Sequence, residues 1–296
     1  MAMSYPLQGV VYFEIESSYK NGFSGSQSRF SDVVTDARIE TGDINTELRS
    51  ISEVSLVDFQ KTLEDPTLHI EYVYQPHTGI SAVSYFYNRT DCDLESFAIE
   101  VGVNTCSASS DTYYYMIGCK PKSFTVSASK GDVYNISVDF SVASLGIYST
   151  AQGTDPGAIG TSYAAFNNAG SITWAGVTGA YVTESFEFTV DNNLTDYHDV
   201  GSYVKKAAIP GAINITGSCD ISLDDGGDTH FDEVLAGTNI TSLKLDTGIA
   251  TGACGEFELL SGRFDSTSID VNTSSEGIMS SVPFTFKALD FNAGTP

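Results

Sequence analysis

The sequence is short of positive charge. Lys and Arg number 14 against 38 Asp and Glu in 296 residues, a formal charge of −24 at pH 7, although charged residues make up only 18% of the chain. A surface of that sign repels phosphate backbones, which excludes a protein that reads DNA or RNA. Two origins of the acidity stay open: adaptation to high salt, or a surface that must not stick to a polyanion.

Long apolar runs are missing as well. No window approaches the about 20 residues that a membrane helix needs. The N-terminal MAMSYPLQGVVYFEIESS has no basic segment ahead of an apolar one, so a chain folded in the cytoplasm, without a membrane, is expected. Cys92, Cys106, Cys119, Cys219 and Cys254 form no C-x-x-C pair and are odd in number. They read as reduced thiols that serve as small hydrophobes. Asn-x-Ser/Thr occurs at Asn88, Asn135, Asn193, Asn214, Asn239 and Asn272, as chance provides in a chain rich in Ser and Thr.

The signatures of catalysis are absent too. His69, His77, His198 and His230 stand alone, with no second His or Cys at a spacing that zinc or nucleophile chemistry requires. No G-x-S-x-G, P-loop or dinucleotide fingerprint occurs. Asp220, Asp224, Asp225 and Asp228 gather oxygens, yet no Gly or closing Glu completes a calcium loop. No enzyme, metal or cofactor is expected.

What is present is period-two alternation, the mark of strands with one buried face. It runs through Val11, Phe13, Ile15; Leu68, Ile70, Tyr72; Phe124, Val126, Ala128; Ile136, Val138, Phe140; Phe186, Phe188, Val190; and Val282, Phe284, Phe286. Helical spacing predicts two helices. One is Ser55–Glu64, capped by Ser55 and ended by Asp65-Pro66; the other is Asp228–Ala236, ended by Gly237. Tyr113, Tyr114 and Tyr115 put rings on both faces of a strand, which suits either an interface or an aromatic core.

The order of elements repeats as β-β-α-β-β-β, and Phe13 to Phe186, Ser55 to Thr229 and Ile70 to Leu243 are offset almost equally. The reading is a mainly β chain of two tandem β-sandwich or half-barrel domains, residues 1–146 and 179–296, each with one short flanking helix. Residues 147–178, rich in Gly, Ala, Ser and Thr, form a linker or arm whose Trp174 docks.

Ser185–Gly201, SFEFTVDNNLTDYHDVG, opens as a clean strand and stops at Asn192 and Asn193, residues that accept left-handed turns. The strand ending FTVDNNL, then Ile209-Pro210-Gly211 leading into INITGSCDISLDD, resembles the tail tube proteins of tailed viruses. VVYFEIESSYKNG resembles the start of tandem-domain tube proteins, and GIMSSVPFTFKALDF their closing strand. ESSYK departs from DNNL.

The resemblance implies a structural virion protein: the major tail tube subunit, self-assembling into stacked rings, trimeric and pseudo-sixfold for a two-domain chain. It would be assembled in the host cytoplasm, join other tail proteins, and conduct viral DNA through its lumen without specific binding. Glu14, Glu16, Glu187, Asp191, Asp220 and Asp224 are the candidate lumen acids. The loops Ser17–Asp36 and Thr195–Ala208 are candidate contacts with the next ring, through Asn193, Tyr197, Lys205 and Lys206. Scarce Lys and Arg fit a virus of a salt-loving, archaeal host. Two other classes fit the residues less well: a two-domain adhesin or cell-surface binding protein, and a secretion-system tube, usually of one domain.

Overall fold

The computed structural model of the chain describes residues 8–42, 45–49, 56–61, 64–75, 81–104, 111–160, 163–166, 172–177, 182–222, 227–247, 256–266, 268–270 and 279–292. In chain order, β1 (Gln8–Ile15), β2 (Ser28–Arg29), β3 (Val34–Glu40), β4 (Asn45–Arg49), β5 (Leu56–Lys61) and β6 (Thr67–Val73) precede a short helix, α1 (Ala82–Tyr85). There follow β7 (Arg89–Thr90), β8 (Asp93–Leu94), β9 (Phe97–Asn104), β10 (Thr112–Ser129), β11 (Asn135–Ser141), β12 (Ser144–Tyr148) and β13 (Ile172–Ala175). The remainder is β14 (Val182–Asp191), β15 (Thr195–His198), β16 (Lys205–Ile209), β17 (Asn214–Ser222), α2 (Gly227–Ala236), β18 (Asn239–Asp246), β19 (Glu256–Phe264), β20 (Ser268–Asp270) and β21 (Met279–Asn292).

The mainly β reading holds. One antiparallel layer runs β13-β18-β19-β21-β17-β14-β10-β11-β6-β3, and a smaller one places β1 beside β2 and β9, with the first part of β10 between β9 and β12. β10 serves both layers. Its residues Thr112–Met116 pair with β9, and Ser123–Ser129 pair with β14. The change of layer falls where the β9 register shifts between Met116 and Cys119, at Gly118, whose φ is +64°. Such a bulge bends a strand, and a Cβ at Gly118 would lie 2.7 Å from that of Ala143.

The alternation read from the sequence becomes the core. Phe124, Val126, Ile136, Val138, Phe140, Leu68, Ile70, Phe188, Val190, Ile215 and Phe284 are all buried on one side of the large layer. Phe97 of the small layer meets Phe140 of the large one at 5.7 Å between ring centroids, so the layers pack as a sandwich. Each such buried ring contributes about 1.5–3 kcal/mol. β10 and β14 pair in register, and one contiguous core runs from Val11 to Phe291 across the junction between the two halves.

One predicted helix is absent. Residues Leu56–Lys61 form β5, paired with β4 as a hairpin, so the first half does not keep the β-β-α order there. Leu56, Phe59 and Leu63 satisfied helical spacing, but a neighbouring strand offered ladder hydrogen bonds, and tertiary pairing overrides weak propensity. The second helix stands as α2. Two described points between the halves make contacts: Trp174 of β13 lies 5.4 Å from Phe264, and the Arg29 guanidinium grips Asp155 at 2.7 Å.

Candidate functional site

Opposite the core, the large layer presents one polar face built by strand register. One cross-strand row reads Arg38, His69, Asp139, Ser123, Asp191 and Asn214. The next runs Asp36, Glu71, Ser137, Thr125, Thr189, Thr216, Thr285, Arg263 and Asn239. Two shorter rows are Asn135, Ser127, Glu187, Ser218 and Ser129, Ser185, Asp220, Ser281. Hydroxyls fill the rows because each occupies the outward position of an alternating strand.

The hydroxyls bond sideways. Thr125 and Thr189 share a hydrogen bond of 2.8 Å between their Oγ1 atoms, and Ser185 donates to Asp220 at 2.5 Å. The carboxylates here are Asp36, Glu71, Asp139, Glu187, Asp191 and Asp220, and the guanidiniums are Arg38 and Arg263. Both guanidiniums face acids, Asp36 at 3.2 Å and Asp265 at 3.4 Å. His69, isolated by spacing, meets Asp139 at 2.7 Å through its Nδ1. The face is hydroxylic and net negative. These four rows hold no lysine; Lys244, paired with Glu256 at 2.8 Å, and Lys287, beside Arg263 and Thr285, stand elsewhere on the layer.

The candidate acids separate in space. Glu187 is exposed and Asp191 and Asp220 half-buried on this face, whereas Asp224 lies outside the described residues. Glu14 accepts from Ser24 N, Ser24 Oγ and Gln27 Nε2; burial alone would raise its pKa, but these bonds and that from Gly25 hold it below the usual range. Glu16 is buried, not solvated. It accepts from the amides of Lys20 at 3.1 Å, Gly22 at 2.9 Å and Gly118 at 3.2 Å, an arrangement that pins both the Ser17–Asp36 loop and the β10 bulge.

The Asn pair divides its work. Asn193 adopts φ +48°, the left-handed turn its type allows. Asn192 is fully buried and donates Nδ2 to the carbonyls of Phe86 at 2.7 Å and Pro121 at 3.0 Å. That tie crosses from the second half into the first, and nothing local in the sequence announces it.

Beyond the turn, β15 and β16 form a paired hairpin where a loop was expected over Thr195–Ala208. Tyr197 is exposed, as an outward contact requires, and Lys206 binds Asp199 at 2.7 Å. Lys205 is fully buried, with Nζ at 2.7 Å from Asp65 and 2.9 Å from Asp196. Its charge is satisfied within the chain, so it is not a free basic spot. Among the described residues, no group of three or more His, Cys, Asp or Glu side chains is placed to hold a metal ion.

A carpet of hydroxyls and acids thus covers one side of a broad antiparallel layer, and the β15–β16 hairpin follows the end of β14. No curated protein matches the chain. The family profile described as phage tail tube protein matches residues 25–288, nearly its whole length. The chain belongs to the phage tail tube protein family and is a structural component of the virion tail.

Proposed function

We propose that this is the major tail tube subunit, that three copies close a pseudo-sixfold ring, and that the polar face of the large layer lines a channel through which viral DNA passes unbound. The observation that carries the reading is the composition of those four cross-strand rows: Ser and Thr with six carboxylates against two paired guanidiniums. Hydroxyls keep the wall wet and uncharged, and carboxylates repel phosphate. Lysines would instead release counterions and hold DNA, with about 0.9 units of salt slope per phosphate neutralised.

Two further features support a ring of tandem domains. The halves are already joined edge to edge through β10 and β14, and the layer ends in β3 on one side and β13 on the other, two edges suited to pairing between copies. Glu187, Asp191 and Asp220 are the proposed wall acids, with Glu71 and Asp139 added by the register, while Glu14 and Glu16 serve the loop beside them.

Negative-stain microscopy of the purified chain in high salt tests the assembly: rings or tubes with a central channel are expected. A monodisperse monomer at high concentration would overturn it. The wall is tested by Glu187→Lys, Asp191→Lys and Asp220→Lys together. Assemblies of this variant should retain linear DNA in a salt-dependent manner that the parent does not; equal behaviour removes the acids from the channel.

A further inference from the structure

Segments remote in sequence meet at the Lys205 ammonium. Its Nζ lies 2.7 Å from Asp65 Oδ1, 2.9 Å from Asp196 Oδ2 and 2.5 Å from Ser141 Oγ, and the side chain is fully buried. Among the described lysines only Lys205 combines full burial with two carboxylates. Lys120, nearly as buried, meets Asp93 alone, and Lys244, which meets Glu256 and Glu258, is 43% exposed.

Each partner is clamped in place. The Glu64 amide donates to the Tyr203 carbonyl at 2.8 Å and the Val142 amide to the Pro66 carbonyl at 3.0 Å, so Asp65 is fixed from both sides. Asp196 pairs with Ala208 in the β15–β16 ladder, and its Oδ1 accepts from Ser141 Oγ at 2.8 Å. Lys20 Nζ donates to the carbonyl of Lys205 itself. An Asp65 oxygen held 2.7 Å from Nζ brings the carboxyl carbon close to the about 3–3.5 Å of a near-attack pair. An amine and a carboxyl so oriented react as one molecule, at an effective concentration that can reach about 10⁵ M or more.

We propose that Lys205 and Asp65 condense within the folded chain to an isopeptide bond, with Asp196 as the proton carrier. Nζ passes one proton to Asp65 along their hydrogen bond, which leaves a neutral amine facing a carboxylic acid. The nitrogen lone pair attacks the Asp65 carboxyl carbon. Asp196 takes a second proton from Nζ, delivers it to the departing hydroxyl and returns to its ionised form. A C–N bond forms, a C–O bond breaks, one water leaves, and nothing is oxidised or reduced. The Asp65 side chain is 56% exposed, so the water departs to solvent. An ammonium and a carboxylate, costly to hold out of water, give way to a neutral amide. The bond joins positions 140 residues apart, one in each half of the chain, and it does not depend on the tube reading.

Intact mass spectrometry tests this on the full chain, left folded at neutral pH for days and then denatured. A product lighter by one water than the sequence is expected, and digestion should yield a branched peptide joining Lys205 to Asp65. Lys205→Arg and Asp65→Ala should keep the full mass. Asp196→Asn should slow the loss of water at least about tenfold, whereas Lys206→Arg, at the neighbouring surface lysine, should leave it unchanged. A folded parent that keeps its full mass overturns the bond, whatever the variants do. So does a loss of water mapped elsewhere in the chain, as to a succinimide. A branched peptide joining Lys205 to Asp196 overturns Asp65 as the acyl partner, and an equal rate in Asp196→Asn overturns the proton carrier.

Discussion

The carboxylate of Glu16 accepts the amide of Gly118, 102 positions away, at 3.2 Å, and so fixes the bend at which β10 leaves one layer for the other. Gly118 holds φ +64° there, with Ala143 and the Tyr19 ring closing over the place of a Cβ. Gly118→Ala therefore faces both left-handed strain, about 1–2 kcal/mol, and overpacking, about 1–3 kcal/mol. Urea unfolding should show a lower midpoint, by the equivalent of about 2–5 kcal/mol, with a similar slope. An unchanged midpoint would mean the bend is not required.

Asn192 and Asn193 predict opposite tolerances. Asn192→Leu leaves the Phe86 and Pro121 carbonyls without their buried donor and should cost about 2–4 kcal/mol. Asn193→Gly should cost less, under about 1.5 kcal/mol, because glycine accepts the φ of +48° at no steric cost and only an exposed hydrogen bond to the Ala212 carbonyl is lost. Thermal melts of the two variants check the ordering, and a less stable Asn193→Gly protein would contradict it.

Acid should release the arm. Asp32 accepts from the amides of Ile159 at 2.9 Å and Gly160 at 3.3 Å, and from Gln75 at 3.0 Å. Burial works against its ionised form, but these bonds, with Arg29 nearby, hold its pKa below the usual aspartate value. Asp155 is depressed chiefly by its hydrogen bond from Arg29. A depressed carboxylate stabilises above its unfolded pKa, and the contribution fades as pH falls through the folded value. Hydrogen-exchange protection of residues 157–160 should thus be constant near neutrality and decline below about pH 4. Protection that persists to about pH 2 would refute the clamp.

The described thiols should react unequally. Cys92 is exposed in a turn, whereas Cys119 and Cys219 are buried and burial pushes both thiols up, away from the reactive thiolate. Iodoacetamide on the native protein is expected to label Cys92 first, with Cys119 and Cys219 labelled only on unfolding. Peptide mass mapping separates them, and early labelling of Cys119 would contradict the packing.

Strand class, the α2 helix and the turn at Asn193 were legible because each is written in adjacent residues. Alternation declares which side of a strand meets the core, and an Asn in a turn declares its own φ. The hydroxyl rows were half legible. The Ser and Thr of these rows stood at outward positions of alternating strands, but the alignment of Thr125, Thr189 and Thr216 depends on register, which no single strand contains.

Three features were decided only by the tertiary structure. β5 is a strand because β4 lies beside it; Glu16 is buried because three amides converge on it; and Lys205 is buried because Asp65, Ser141 and Asp196 meet at its Nζ. Each runs against the local pattern, which put a helix at Leu56, a solvated acid at Glu16 and a free cation at Lys205. Local spacing encodes the direction of a side chain. Whether a charge pointing inward finds its partners depends on segments brought together from far along the chain, and only the packed fold brings them there.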